Sequence, residues 1–154
     1  MKDDIRKGFE EAVAKSRARD TAAKQASQEE ADERQRFQTD YRQLAEKVIM
    51  PALEEVAREF MRPAGWTCQV DCLEEADSEV RLHVFRGDMG TPAGPGVRPH
   101  LDFSPDRHAP TISIYRATRS ESDTEGSYAL KEITPDFVQE QALRFFNRLL
   151  VEGR

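Results

Sequence analysis

The pattern of apolar and polar residues predicts that the first third of this chain is one long helix. Residues 9–50, between Gly8 and Pro51, contain no glycine or proline and are dominated by Ala, Glu, Lys, Arg and Gln. These residues lose the least free energy on entering a helix. A helix through all of them would be about 63 Å long, which is longer than a compact domain needs.

The spacing of the apolar residues divides this helix in two. Ile5, Phe9 and Val13 recur every four residues, and alanines are the only apolar residues from 14 to 36. From residue 37 onwards, larger apolar side chains step by 4, 3 and 4 and share one face, which identifies a buried helix: Phe37, Tyr41, Leu44 and Val48. We therefore predict that residues 1–36 form a projecting helical arm and residues 37–154 a globular domain.

Across Pro51 the 4-3-4 spacing continues on an adjacent face of the helix, at Ile49, Leu53, Val56 and Phe60. A proline inside a helix removes one backbone hydrogen bond and crowds the preceding turn, so we expect a kink or a restart at Pro51. The helix should end at 62–65, where Arg-Pro-Ala-Gly combines helix breakers with a turn.

The apolar period then becomes two, as in strands with one buried face. A turn at 75–78, a loop rich in Gly and Pro at 87–99 and a polar turn at 120–126 separate the segments. The predicted strands are 66–73, 79–86, 100–104, 111–118 and 127–133. Thr134 as N-cap and Pro135 at the first helical position then mark the start of a final helix with an apolar face.

This order predicts an α+β fold. We expect a four- to five-stranded antiparallel sheet, covered on one face by the helix of residues 37–60 and by the final helix of residues 137–150. A meander with one apolar and one polar face needs a cover on one side only.

Composition narrows the classes of function. Residues 1–50 carry eleven basic and eleven acidic residues, so the net charge of −6 lies entirely on the rest of the chain. This acidity opposes binding to nucleic acids and to anionic membranes, and no apolar run has the length of a membrane span. Cys68 and Cys72, four residues apart on a strand, are too distant to form a disulfide with each other. We expect a cytoplasmic protein with no cofactor.

Three polar residues suggest chemistry on the predicted sheet. His100 and Asp102 alternate on one strand, and His83 has the matching parity on another. Two histidines and a carboxylate can form a divalent-metal site or an acid–base pair. A solvated polar face explains the same residues more simply, and no ligand spacing of a known metal motif supports the first interpretation.

The same face also carries residues typical of recognition surfaces, where aromatic side chains and arginine are enriched. The candidate contact surface consists of Arg81, His83, Phe85, His100, Asp102 and Tyr115. Our first hypothesis is a non-enzymatic interaction protein that oligomerises or docks on a protein partner through its helical arm. The alternatives are a ligand-binding or sensing module, which uses this face and the 87–99 loop, and a metal-dependent enzyme centred on the two histidines and Asp102.

Overall fold

The computed structural model describes residues 2–73, 79–86, 98–106 and 108–152. The predicted turn at 75–78 and most of the predicted loop at 87–99 lie outside these residues. The chain divides into two compact units, Met1–Phe37 and Gln38–Arg154.

The long helix predicted from composition is confirmed as α1, Lys2–Leu44. Residues 2–36 of this helix are exposed, apart from half-buried Val13 and Asp32. Side chains four residues apart pair along it, as in the ion pairs between Arg6 and Glu10 and between Arg34 and Glu30. Such pairs stabilise a helix surface by only a few tenths of a kcal/mol each.

Beyond α1 the chain stays helical but changes its hydrogen bonding. A π-helical turn, Ala45–Ile49, leads into α2, Met50–Val56, and a second π-helical turn covers Ala57–Met61. Pro51 lies in the first turn of α2, where its missing N–H costs little. The backbone keeps helical angles at Ile49 and Met50, so the irregularity expected at Pro51 is a π-helical turn just before it and not a break in the helix.

Five strands form one antiparallel sheet in which each strand pairs with its neighbour in sequence. This confirms the predicted meander and the α+β class. The strands are β1 (Thr67–Cys72), β2 (Val80–Phe85), β3 (His100–Pro105), β4 (Thr111–Ala117) and β5 (Ser122–Ala129).

The prediction was wrong for the fifth strand. Strand β5 begins at Ser122, inside the predicted polar turn, and Leu130–Glu132 is a 3-10 turn rather than extended chain. The acidic side chains of β5 are accommodated because Arg116 of β4 pairs with both Asp123 and Glu125, at 3.4 and 3.2 Å.

The backbone conformation of Gly126 explains why a glycine lies inside strand β5. Its φ of +52° lies in the left-handed region, and the pairing of β4 with β5 shifts register between Ser113 and Ile114. A glycine in this conformation at an extra residue is characteristic of a β-bulge. The local sequence therefore resembles a turn, although the backbone continues as a strand.

The last helix, α3 (Pro135–Glu152), begins as predicted. The Thr134 hydroxyl accepts a hydrogen bond from the backbone N–H of Phe137 at 3.2 Å, which makes Thr134 the N-cap. Helices and one sheet face enclose the core, where Tyr41 Oη donates to the Phe103 carbonyl at 2.6 Å and Trp66 meets Phe146 edge to face at 5.5 Å. The most completely buried side chains include Leu53, Leu82, Leu101, Phe103, Ile112, Ile114, Phe145 and Leu149.

Candidate functional site

The opposite face of the sheet brings the polar residues of the central strands together. Register places Arg81 of β2 opposite Asp102 of β3, and Asp102 in turn opposite Tyr115 of β4. The next aligned pair is His83 and His100. Five of the six predicted contact residues are therefore direct neighbours across three strands.

The centre of this polar cluster is a two-point ion pair. Arg81 Nε donates to Asp102 Oδ1 at 2.8 Å, and Arg81 Nη2 donates to Asp102 Oδ2 at 2.9 Å. Asp102 is only 3% exposed. Burial raises the pKa of Asp102, while the hydrogen bonds from Arg81 oppose that rise. The same bonds raise the pKa of Arg81, so the guanidinium stays charged.

Two further residues, which sequence reasoning missed, complete this network. Glu79 accepts from Arg81 Nη2 at 3.0 Å through one carboxylate oxygen and from the Ser104 hydroxyl at 2.8 Å through the other. The sequence could have indicated both residues, because side chains two positions apart in a strand point to the same face of the sheet. Glu79 lies two residues before Arg81, and Ser104 lies two residues after Asp102.

The histidines lie beside the ion pair. His100 is 4% exposed, and its Nδ1 lies 2.8 Å from the Arg98 carbonyl oxygen. Because a carbonyl can only accept, Nδ1 carries the proton. The His100 ring lies 5.6 Å from the ring of Tyr115 and 6.2 Å from that of His83, centroid to centroid.

The charge state of His83 responds to its surroundings in a definite direction. Burial lowers the pKa of His83, and the positive charge of Arg81 lowers it further. The carboxylate of Asp71, 3.7 Å from Nε2, acts in the opposite direction without reversing the shift. A lowered pKa keeps His83 neutral at neutral pH.

This geometry bears on the metal and acid–base hypothesis. The structure does bring His83, His100 and Asp102 together, and the simple solvated-face interpretation is wrong for His100 and Asp102, which are buried. However, both carboxylate oxygens of Asp102 already accept hydrogen bonds from Arg81. In the described ranges, no group of three or more His, Cys, Asp and Glu side chains is arranged to hold a metal ion. The cluster resembles a structural ion-pair network rather than a reactive centre.

The partly exposed residues of this sheet face form what we call the rim. The Arg98 guanidinium lies 4.4 Å from the ring centroid of Phe85, within the range of cation–π attraction. Arg81, His83, Phe85 and Tyr115 are all partly exposed. A contact role for this rim remains a prediction, and the part of the 87–99 loop from 87 to 97 lies outside the described residues.

The cysteines lie on the helix side of β1 and form no disulfide. Cys68 is buried with its Sγ 3.6 Å from the thioether of Met61, and burial raises its pKa to about 11. A thiol with a raised pKa is a poor nucleophile, as expected for a buried small apolar residue. None of the described helices combines the length and the apolar content that a membrane crossing requires.

Comparison with protein-family models, with curated proteins and with solved structures finds no match to this chain.

Proposed function

We propose that this chain is a non-enzymatic protein-interaction module that docks or oligomerises through the exposed part of α1, residues 2–36. Such a module would serve as a small adaptor, chaperone or assembly component. The observation that carries the proposal is the exposure of large apolar side chains on this helix. Ile5 is 72% exposed and Phe9 is 69% exposed. We place the module in the cytoplasm, which the thiol state of Cys68 and Cys72 supports.

Physical chemistry supports a partner for this helix. Most of the stability of helices in proteins comes from packing an apolar face, and propensity contributes less. Residues 2–36 bury almost no side chain, and their ion pairs are between exposed groups of small net worth. A helix of this length with exposed aromatic and aliphatic side chains gains most when a second protein covers them.

Site-specific photo-cross-linking in the cells that produce the chain tests this proposal. A photoreactive amino acid is placed at Phe9, and a matched control carries it at Glu11. Residues two positions apart in a helix are separated by about 200° around its axis, so the control at Glu11 faces away from the apolar side that carries Phe9. We expect a discrete protein adduct, to a second copy or to another protein, from position 9 and not from position 11. Equal or absent adducts at both positions would contradict the proposal.

A second candidate, a ligand-binding or sensing surface, is favoured by the rim around Phe85. There the Arg98 guanidinium stacks on the Phe85 ring, two residues along β2 from His83, a combination that suits planar or anionic groups. Its test is an NMR titration of the full chain with a library of small aromatic carboxylates. Saturable shifts confined to His83, Phe85 and Tyr115 would support this candidate, and their absence would contradict it for that class of ligand. Asp102, whose two oxygens accept from Arg81, gives the metal-dependent enzyme no comparable support.

A further inference from the structure

One face of α1 carries a regular stripe that extends beyond the exposed apolar residues at its start. From residue 5 to residue 37 the positions step alternately by four and three, which keeps them on one side of a helix. The α1 stripe consists of Ile5, Phe9, Ala12, Ser16, Arg19, Ala23, Ala26, Glu30, Glu33 and Phe37. Apart from half-buried Phe37, all of these residues are exposed.

Charge is distributed unevenly along the same helix. Residues 15–24 contain four basic residues and one acidic residue, whereas residues 29–33 contain four acidic residues and no basic one. Two copies side by side in parallel would place like charges together, with Arg19 beside Arg19 and Glu30 beside Glu30. Two antiparallel copies would place the basic segment of each beside the acidic segment of the other.

From Ala12 to Phe37 the stripe also has the symmetry that an antiparallel pair requires, whereas Ile5 and Phe9 have no counterpart within the stripe. In an isologous dimer, residue i of one copy meets residue j of the other, and j meets i in return. With a two-fold axis midway between Ala23 and Ala26, Ala23 of one copy faces Ala26 of the other. Ser16 faces Glu33, and Ala12 faces Phe37. The charged pair in this register is Arg19 with Glu30.

We infer that α1 pairs with α1 of a second copy of this chain, in antiparallel orientation about an axis between Ala23 and Ala26. This inference rests on the proposed function and names its partner. The small alanines at the centre let the two helix axes approach closely. On either side of them, Arg19 of each copy binds Glu30 of the other. Glu30 accepts from Arg34 of its own helix through Oε1, at 3.0 Å, and in the dimer Arg19 of the partner copy would donate to Oε2.

Charge reversal at the paired positions tests the inference on the full purified chain. Arg19→Glu places two acidic side chains together at each pair, and Glu30→Arg places two basic side chains together. Each variant should raise the dimer dissociation constant in sedimentation equilibrium by roughly tenfold or more. The double variant, Arg19→Glu with Glu30→Arg, restores opposite charges and should return to within about threefold of the wild type.

A mixture and a matched control sharpen the test. An equimolar mixture of the two single variants should form heterodimers, because the acidic side chain that replaces Arg19 in one variant meets the basic side chain that replaces Glu30 in the other. The control is Arg17→Glu, which makes the same change in net charge on the opposite side of α1. It should leave the dissociation constant within about threefold of the wild-type value.

Several outcomes would overturn the inference. The first is a wild-type chain that is monomeric at about 100 μM. The second is an equal rise of the dimer dissociation constant in Arg17→Glu and Arg19→Glu. The third is a double variant whose dissociation constant is no lower than that of either single variant. These results are distinguishable from failure of the proposed function. A monomeric purified chain that still forms a Phe9-specific adduct with another protein would overturn self-pairing alone, whereas loss of that adduct as well would overturn both.

Discussion

At the scale of single residues, the ion pair between Arg81 and Asp102 is the most consequential contact of the polar cluster. Arg81→Met would leave the buried carboxylate of Asp102 without its two hydrogen bonds. Removing one partner of a buried ion pair typically costs about 3–5 kcal/mol of unfolding free energy. We expect a loss of that size in urea denaturation. The matched control, Arg144→Met, breaks an exposed pair with Glu140 and should cost less than about 1 kcal/mol.

The pH dependence of the same variant has a definite sign. Burial raises the pKa of Asp102, and without Arg81 the opposing hydrogen bonds are lost. A carboxyl group whose pKa is raised by folding takes up a proton on folding, so its destabilising effect diminishes as the pH falls through that raised pKa. The stability difference between Arg81→Met and the wild type should therefore narrow as the pH falls from 7 towards about 4. A difference that stays constant over this range would mean that Asp102 is not the group left unpaired.

Also at the residue scale, Phe145 and Phe60 form a matched pair of aromatic residues. Phe145 is fully buried on α3, while Phe60 is 51% exposed. Phe145→Ala should cost about 3–5 kcal/mol, the usual loss for a deleted core aromatic. Phe60→Ala should cost about 1 kcal/mol or less, because surface substitutions rarely exceed that range. Chemical denaturation of both variants checks the prediction, and similar losses would contradict the placement of α3 on the sheet.

At the scale of elements, the bulge in β5 depends on one glycine. Gly126 has φ +52°, and a Cβ added there would lie 3.3 Å from the ring of Tyr128. Gly126→Ala should therefore cost about 1–2 kcal/mol, the penalty of a left-handed conformation for a residue with a side chain. The control is Gly8→Ala in α1, where an added Cβ meets open space. Gly8→Ala should not lower the free energy of unfolding, because alanine has a higher helix propensity than glycine. Urea unfolding compares the two, and a Gly126→Ala variant as stable as the wild type would contradict the bulge.

The elements that sequence reasoning predicted well are those with one dominant periodicity. Strands β1 to β4 have alternating apolar residues, and α3 has an N-cap in Thr134 followed by an apolar face. The fifth strand was misplaced because its stability is not local. Asp123 and Glu125 resemble a polar turn until Arg116, from another strand, pairs with them.

The candidate site shows the same limit. Strand parity correctly placed His83, His100 and Asp102 on one face. It could not show that Asp102 is buried or that Arg81 binds both of its oxygens, because burial and pairing depend on the register between strands. Glu79 and Ser104 had the right parity, but only the three-dimensional contacts distinguish them from other polar residues.

At the scale of the whole molecule, the two compact units are stabilised in different ways. In residues 38–154 a sheet and helices enclose a core of fully buried side chains such as Phe103 and Phe145. In residues 2–36 the described contacts are mainly between exposed side chains a single helical turn apart. The unit of residues 38–154 therefore gains its stability from apolar burial, whereas residues 2–36 depend on helix propensity and on whatever covers their exposed face.

Deleting residues 1–36 tests whether the unit of residues 38–154 is stable without the exposed part of α1. The deletion removes no residue of the core and retains Tyr41, whose hydroxyl donates to Phe103. We expect the free energy of unfolding of the sheet unit, measured by the fluorescence of buried Trp66 in urea, to change by less than about 1 kcal/mol. The same deletion should lower the mass in sedimentation from that of an assembly to that of a single chain, because the α1 stripe is lost. A loss of several kcal/mol would show that the helix supports the core directly, and an unchanged assembly would mean that self-association uses another surface.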